Sequence, residues 1–320
     1  MPSEDETGVV PTVVVLGTGG TIAGSAASAT DNVGYRAAEL TIDALIAAVP
    51  ALHGVPLEAE QVAQVDSKDM DFAIWQALAR RVDAHLSRPD VVGMVITHGT
   101  DTLEETAYFL HRVLAPTKPV VMTAAMRPAT SLQADGPQNL LDAVTVARWP
   151  GARGVLAVLA GNVYTGADLR KTDSYRLDAF SPGEAGLLGR VEEGQLRSFR
   201  PWPLKQPLGL ACMARDPAHW PRVEIVFNHV AADGRIVDAL LAQGLDGLVV
   251  AGTGNGTVSH ALEAAALRAQ RAGVSVRRCS RCANGPVIDT SEAALPNAGA
   301  LSPVQARIEL LLQLLAASAD

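Results

Sequence analysis

The chain predicts a two-domain α/β protein, and three observations carry that expectation. Apolar strand-like runs alternate with segments of helical period both before and after residue 200. A proline-rich, aperiodic stretch, Arg200-Pro201-Trp202-Pro203-Leu204-Lys205-Gln206-Pro207, separates the two alternating regions. The length of 320 residues suits about two domains, each able to bury its own core. The expected division is a first domain over residues 1–200, a linker over 201–221 and a second domain over 222–320.

The first strand is expected at residues 12–16, a β-branched run of the kind buried on both faces of a parallel sheet. Further strands are expected at residues 91–96, 119–123 and 154–159, with helical period at 41–49, 71–86, 102–114 and 138–147. In the second of these helices Ile74, Leu78, Val82 and Leu86 recur every four residues and lay one stripe against a sheet. In the third, Leu103, Ala107, Leu110 and Leu114 do the same. Strands alternating with helices of this length specify parallel βαβ units. Residues 164–200 are more polar and glycine-rich, and their short runs fit an antiparallel flap. Past the linker, strands at 223–227, 247–250 and 274–276 alternate with helices at 236–243, 258–271 and 303–316. The alanines and leucines of 261–272 keep helical spacing, so that Ala-rich stretch reads as a packed helix.

Composition removes several function classes. A net charge of −8 leaves no electrostatic footprint for nucleic acid, and no basic run points to a membrane surface. No apolar run is long enough to span a bilayer. The acidic start, Met1-Pro2-Ser3-Glu4-Asp5-Glu6-Thr7, lacks the basic and apolar regions of a signal peptide, so a cytoplasmic location is expected. Cys212, Cys279 and Cys282 are too few for a disulfide framework. Cys279-Ser280-Arg281-Cys282 has C-x-x-C spacing but ends a strand-like run and has no second pair to complete a zinc site, so incidental thiols are expected. The seven histidines show no metal-ligand spacing, and neither metal nor cofactor is expected.

Two strand-to-helix turns carry the chemistry. Thr97-His98-Gly99-Thr100-Asp101-Thr102 packs three threonines and a carboxylate between a buried strand and a helix, at the sheet edge where ligands bind. One such turn reads equally well as an N-cap. A second lies upstream, Gly17-Thr18-Gly19-Gly20-Thr21-Ile22-Ala23-Gly24, where glycines let backbone approach a ligand closely around one hydroxyl. Two such turns on one sheet bring Thr21 and Thr100 together. The glycine turn is not a nucleotide loop. A G-x-G-x-x-G fingerprint from Gly17 would need its third glycine at Ile22, and a P-loop from Gly19 meets Ser25-Ala26 where Lys-Ser/Thr is required. A hydroxyl presented on a glycine turn suits a threonine nucleophile, which needs a base or proton relay. His98, flanked by small turn residues, reads as a structural hydrogen-bonder. Lysine is the better relay: against 22 arginines the chain keeps only Lys68, Lys118, Lys171 and Lys205.

These residues resemble the bacterial-type L-asparaginases and glutaminase-asparaginases, over nearly the whole chain. The two signatures are the glycine turn and Ile96-Thr97-His98-Gly99-Thr100-Asp101-Thr102-Leu103-Glu104-Glu105-Thr106-Ala107. Supporting matches are Ala124-Ala125-Met126-Arg127-Pro128, Ala134-Asp135-Gly136-Pro137, Arg170-Lys171-Thr172-Asp173 and Gly252-Thr253-Gly254-Asn255-Gly256. The resemblance implies a larger N-terminal flavodoxin-like domain and a smaller C-terminal Rossmann-like α/β domain. It also implies hydrolysis of L-asparagine to L-aspartate and ammonia through a covalent acyl-threonine, without metal or cofactor.

By the same resemblance Thr21 is the nucleophile, and Tyr35 is the mobile-loop tyrosine that contacts it on closure. Thr100, Lys171 and Asp101 form the second cluster, with Asp101 also binding the substrate α-ammonium and Ser67 its α-carboxylate. The Gly99–Thr100 turn supplies the oxyanion donor through the Thr100 N–H, and losing such a donor costs roughly 3–4 kcal/mol. The Ala125 carbonyl orients the leaving ammonia. Which threonine attacks first is left open by the residues.

The resemblance further implies a homo-oligomer, a tetramer built as a dimer of intimate dimers, in which the C-terminal domain completes a neighbour's site. Thr257 and Glu292 align with those partner positions, Glu292 lying eleven residues past Arg281. One position departs from the family: Lys68 follows Ser67 where another polar residue is usual. It reads either as a solvated lysine or as a cation near the substrate α-carboxylate. The rival readings are a glutaminase-asparaginase of broader specificity, the amidase subunit of a tRNA-dependent amidotransferase, and a non-catalytic amino-acid sensor. The amidotransferase subunit usually carries an extra N-terminal region, and few residues precede Val13 here. A sensor would be expected to lose Thr21, Thr100 or Lys171, and all three are present.

Overall fold

The computed structural model describes residues 10–318 apart from 115, 204–206, 290 and 292. The chain divides into two compact units at Gly209/Leu210.

The first unit begins with β1 (Thr12–Gly19), α1 (Ile42–Ala47) and β2 (Leu57–Val65). It continues with α2 (Phe72–Leu86), β3 (Val91–Thr97), α3 (Leu103–Val113), β4 (Pro119–Thr123), α4 (Gly136–Ala147) and β5 (Gly154–Leu159). Five short strands complete it: β6 (Asn162–Thr165), β7 (Arg170–Lys171), β8 (Phe180–Ser181), β9 (Gly189–Glu192) and β10 (Gln195–Ser198). Eight strands make one sheet in the order β10-β9-β6-β5-β4-β3-β1-β2. From β5 to β2 every pairing is parallel, giving the flavodoxin-like order 2-1-3-4-5, whose direction reverses between β1 and β3. The expected flap splits in two. β6, β9 and β10 extend the sheet antiparallel, whereas β7 and β8 form a separate two-stranded ribbon.

The β-branched run of β1 is buried at Val13, Val14, Val15 and Leu16, as a strand covered on both faces must be. β2 has no counterpart among the expected strands. It is an edge strand, Leu-Glu-Ala-Glu-Gln-Val-Ala-Gln-Val, half-buried and paired to one neighbour only, so its polar residues hide it from a search for apolar runs. α2 starts where Asp71 accepts the Ile74 N–H at 2.8 Å. Its buried stripe is Trp75, Leu78, Ala79 and Val82, with Ile74 and Leu86 only half-buried at the margin. A strict four-residue spacing drifts off a face that turns every 3.6 residues.

The second unit contains β11 (Val223–Phe227), α5 (Arg235–Ala242), β12 (Gly247–Gly252), α6 (His260–Arg271), β13 (Ser275–Ser280) and α7 (Pro303–Ala317). β11-β12-β13 is a wholly parallel sheet. Its core joins Val237, Leu248, Val250, Leu262, Ala265, Ala266, Ala269 and Val276. The alanines of α6 therefore pack, as their spacing implies. α7 opens with a capping box, Ser302 accepting the Gln305 N–H and the Gln305 side chain accepting the Ser302 N–H. The unit starts before residue 222: Leu210–Met213 and Pro217–His219 are 3₁₀ turns, and Cys212, Met213 and Trp220 are buried. β13 is longer than the expected strand and includes Cys279, whose thiol burial pushes up to about 12. Cys282, the other half of the C-x-x-C, is exposed. Among the described residues no helix is long and apolar enough to cross a membrane.

Candidate active site

The two turns singled out by sequence leave the C-terminal ends of β1 and β3, the adjacent parallel strands at which the sheet order reverses. They touch through their glycines. Gly20 sits at φ +84°, and a Cβ there would collide with the Gly99 Cα and N. A Cβ on Gly99 would in turn lie 2.5 Å from Ser67 Oγ. Thr18 ties the strands below by donating to the Thr97 carbonyl at 2.9 Å. Close backbone contact thus brings the Thr21 and Thr100 segments side by side.

Thr21 opens a 3₁₀ turn, Thr21–Ala23, and is 7% exposed. Its hydroxyl lies 2.7 Å from the Tyr35 hydroxyl. Tyr35 comes from the loop after the turn, closed at its base by the paired backbones of Ser25 and Arg36 at 2.9 and 2.8 Å. Further along, Ser131 donates to Asn32 Oδ1 at 2.6 Å and the Leu132 N–H to the Ala29 carbonyl at 3.0 Å. Asp31 folds the tip by accepting the Val33 and Gly34 N–H groups, which hold its carboxyl below the usual range.

Thr100 is 5% exposed and accepts a hydrogen bond from Lys171 Nζ at 2.9 Å. The same ammonium meets Asp101 Oδ1 at 2.6 Å, leaving Asp101 Oδ2 with no described donor. Lys171 lies on β7, opposite Phe180 of β8, and its N–H donates to Glu104 Oε2 at 2.6 Å. Burial raises the Glu104 carboxyl above its ordinary value, partly offset by that N–H. Thr102 precedes α3 but makes no side-chain cap; its hydroxyl donates to the Ser67 carbonyl at 2.7 Å. The Asp101 N–H reaches Ser67 Oγ at 3.2 Å, and Ser67 is 3% exposed. The cap position has been diverted to hold a second strand end, the 3₁₀ turn Ser67–Asp69 after β2, against the site.

Two backbone groups here stay open. The Thr100 N–H donates to no described acceptor, and the Ala125 carbonyl, just past β4, receives no described donor. Beside Ala125, Asp135 accepts the Met126 and Arg127 N–H groups at 3.0 and 2.9 Å and so fixes that turn.

Lys68 is placed differently from the α-carboxylate reading. Its ammonium lies 2.9 Å from Asp66 and 2.8 Å from Asp69, and both carboxylates raise its pKa. With its side chain 61% exposed, it is a neutralised surface group rather than a spare cation beside Ser67. Glu104 and Asp135 escaped the sequence reading, although both lie within quoted motifs. Both stand at helix starts, Asp135 at the N-cap position of α4 and Glu104 in the first turn of α3, where an acidic residue is ordinary and gives no separate signal.

In the second unit the Thr253–Thr257 loop closes on itself, the Thr257 N–H donating to the Thr253 carbonyl at 2.7 Å. Asn255 brackets Ile288 with two 2.8 Å bonds, and Arg278 reaches Asp289 at 2.6 Å. Thr257 is exposed at this loop, and Glu292 lies outside the described residues. Among the described residues, no group of three or more His, Cys, Asp or Glu side chains is arranged to hold a metal ion.

Comparison with known proteins agrees with this geometry. Residues 12–203 match the N-terminal asparaginase domain, and residues 222–320 match the glutaminase/asparaginase C-terminal domain. The chain is 37% identical to L-asparaginase 2 of Bacillus subtilis (strain 168), over 95% of this chain and 83% of that one. It is 39% identical to the glutaminase-asparaginase of Pseudomonas fluorescens biotype A, over 88% of this chain and 78% of that one. A crystal structure of a probable cytoplasmic L-asparaginase from Campylobacter jejuni superposes with a TM-score of 0.88 at 34% identity, covering 94% of each chain. Two abutting hydroxyl turns on a reversed parallel sheet, and a matching domain on each side of residue 210, make this chain a member of the glutaminase/asparaginase family of amidohydrolases.

Proposed function

We propose that the chain is an L-asparaginase, hydrolysing L-asparagine to L-aspartate and ammonia through an ester on Thr21. The carrying observation is that two buried threonine hydroxyls on touching turns each meet a group able to handle a proton, Tyr35 at 2.7 Å and Lys171 at 2.9 Å. Thr21 Oγ attacks the side-chain amide carbon, and its proton passes by way of Tyr35 to the departing nitrogen, which leaves as ammonia. The open Thr100 N–H receives the oxyanion, and the open Ala125 carbonyl orients the amide nitrogen. Water then attacks the ester, giving one proton through Thr100 and Lys171 and restoring the Thr21 hydroxyl. Ser67 and the unengaged Asp101 oxygen hold the α-carboxylate and α-ammonium. Ammonia release from L-Asn, L-Gln and D-Asn tests the reading, with L-Asn expected to be fastest. No release from any of the three would refute it. Comparable rates on L-Asn and L-Gln would establish the broader glutaminase-asparaginase activity, which the Pseudomonas relative favours.

The active species in this reading is a homo-oligomer, a tetramer of intimate dimers, in which Thr257 and Glu292 serve a neighbour's site. Similarity to the asparaginase family supports it. Mixing Thr21→Ala with Glu292→Ala under subunit exchange should restore activity, since one site per mixed dimer keeps both residues. Two inactive parents that exchange without recovery would place the whole site in one chain. A cytoplasmic location belongs to the same reading, supported by likeness to the Campylobacter protein.

A further inference from the structure

Beside the Thr100 turn lies a buried chain of hydrogen bonds. The Trp75 indole nitrogen is 2.9 Å from Thr106 Oγ1, Thr106 Oγ1 is 3.0 Å from His98 Nε2, and His98 Nδ1 is 2.7 Å from the Gly99 carbonyl. His98 and Thr106 are fully buried. Trp75 is 5% exposed and stacks on Phe109 with ring centroids 4.6 Å apart.

The hydrogens in this chain are fixed by chemistry. An indole N–H only donates and a carbonyl only accepts. His98 therefore carries its proton on Nδ1, and the Thr106 hydroxyl, having accepted from Trp75, donates to the bare Nε2. Burial lowers the imidazole to about 4, so it stays neutral in this one tautomer near neutral pH.

The anchored carbonyl belongs to the Gly99–Thr100 peptide, and that peptide's other end is the open Thr100 N–H. The peptide is planar and trans, so fixing the direction of its C=O fixes the opposite direction of its N–H. Among the described residues this is the one hydrogen bond that the peptide itself makes: its carbonyl meets His98, and its N–H has no protein acceptor. A hydrogen bond to the carbonyl also polarises the amide and strengthens its N–H as a donor.

We infer that the Trp75–Thr106–His98 chain orients the Gly99–Thr100 peptide, making His98 a positioning residue for the N–H that receives the oxyanion. This rests on the amide-hydrolysis reading above. The test compares three variants with the unaltered enzyme, measuring kcat and KM for L-asparagine and the folded fraction by near-UV circular dichroism. His98→Leu removes the donor, and kcat should fall about 30-fold with KM within about threefold, less than the full loss of an oxyanion donor because the N–H remains. His98→Asn, whose amide N–H takes the place of Nδ1–H, should recover most of that loss. Thr106→Val unpins the ring and should lower kcat several-fold.

A merely structural role would lower the folded fraction and leave kcat per folded molecule unchanged. That result, or an Asn variant no better than Leu, would overturn the inference. If the Leu variant does not fold, Thr106→Val decides alone: unchanged kcat in folded protein overturns the inference, and a several-fold fall at constant KM supports it. An unaltered enzyme that releases no ammonia refutes the amide-hydrolysis reading itself and the positioning role with it. An active enzyme with unaffected variants refutes the positioning role only.

Discussion

The two threonines of the site are held in contrasting ways. Thr100 meets Lys171, whose backbone is paired with β8 and bonded to Glu104, and whose ammonium is shared with Asp101. Every partner there belongs to a strand, a helix or the turn joining them. Thr21 meets Tyr35, which arrives on a loop closed at its base by Ser25 and Arg36 and bonded to residues 129–132 through Gly24, Ala26, Ala29 and Asn32, with no strand or helix of its own. The difference teaches a division of labour. The Thr100 side is organised before substrate arrives. On the Thr21 side the proposed nucleophile follows directly on a core strand, while its partner comes from a loop outside the sheet.

The largest effect expected is at Thr21, the proposed nucleophile. Thr21→Ala should lower kcat by about four or more orders of magnitude while the folded state survives, because only a hydroxyl and a methyl leave a ligand-facing turn. A folded variant that keeps a tenth of the rate would move the attack elsewhere, with Thr100 next to be tried.

The two partners should differ in kind. Lys171→Met is expected to cost about 100-fold or more in kcat, and Lys171→Arg nearly as much, because a planar guanidinium fork does not fit one hydroxyl and one carboxylate as a compact ammonium does. Tyr35→Phe should cost about tenfold, part of it in KM if loop closure is coupled to binding. Full pH–rate profiles would sharpen the contrast. An Arg variant with normal kcat would show that charge alone is needed at 171.

How much of this was legible beforehand follows the same line. The strands β1 and β3, the helices α2 and α3, and both hydroxyl turns were readable because apolar period and glycine position are local properties. The pairing of Lys171 with Thr100 crosses 71 residues and was reached through resemblance to a family, with only the scarcity of lysine as a local hint. The edge strand β2, too polar to show as an apolar run, was missed, and with it the geometry that brings Ser67 under Gly99. Lys68 shows the limit most clearly. Residue type and position allow either a ligand cation or a solvated one, and only the placement of Asp66 and Asp69 separates the two.

The smallest effect is expected there. Lys68→Gln should leave kcat unchanged and KM for L-asparagine within about twofold, since an exposed ammonium between two carboxylates has little field to offer a substrate. A KM rise of tenfold confined to substrates bearing an α-carboxylate would return Lys68 to the binding site.

The contact between Gly20 and Gly99 also limits what redesign can reach. Because the spacing of the two hydroxyl turns is set by main chain against main chain, no side chain stands between Gly20 and Gly99 to be trimmed, and any addition forces them apart. Room for a longer amide side chain must come from the periphery, by moving the Ser67 turn or lengthening the Tyr35 loop. A library aimed at substrate range would hold positions 20 and 99 constant and spend its diversity on those two segments.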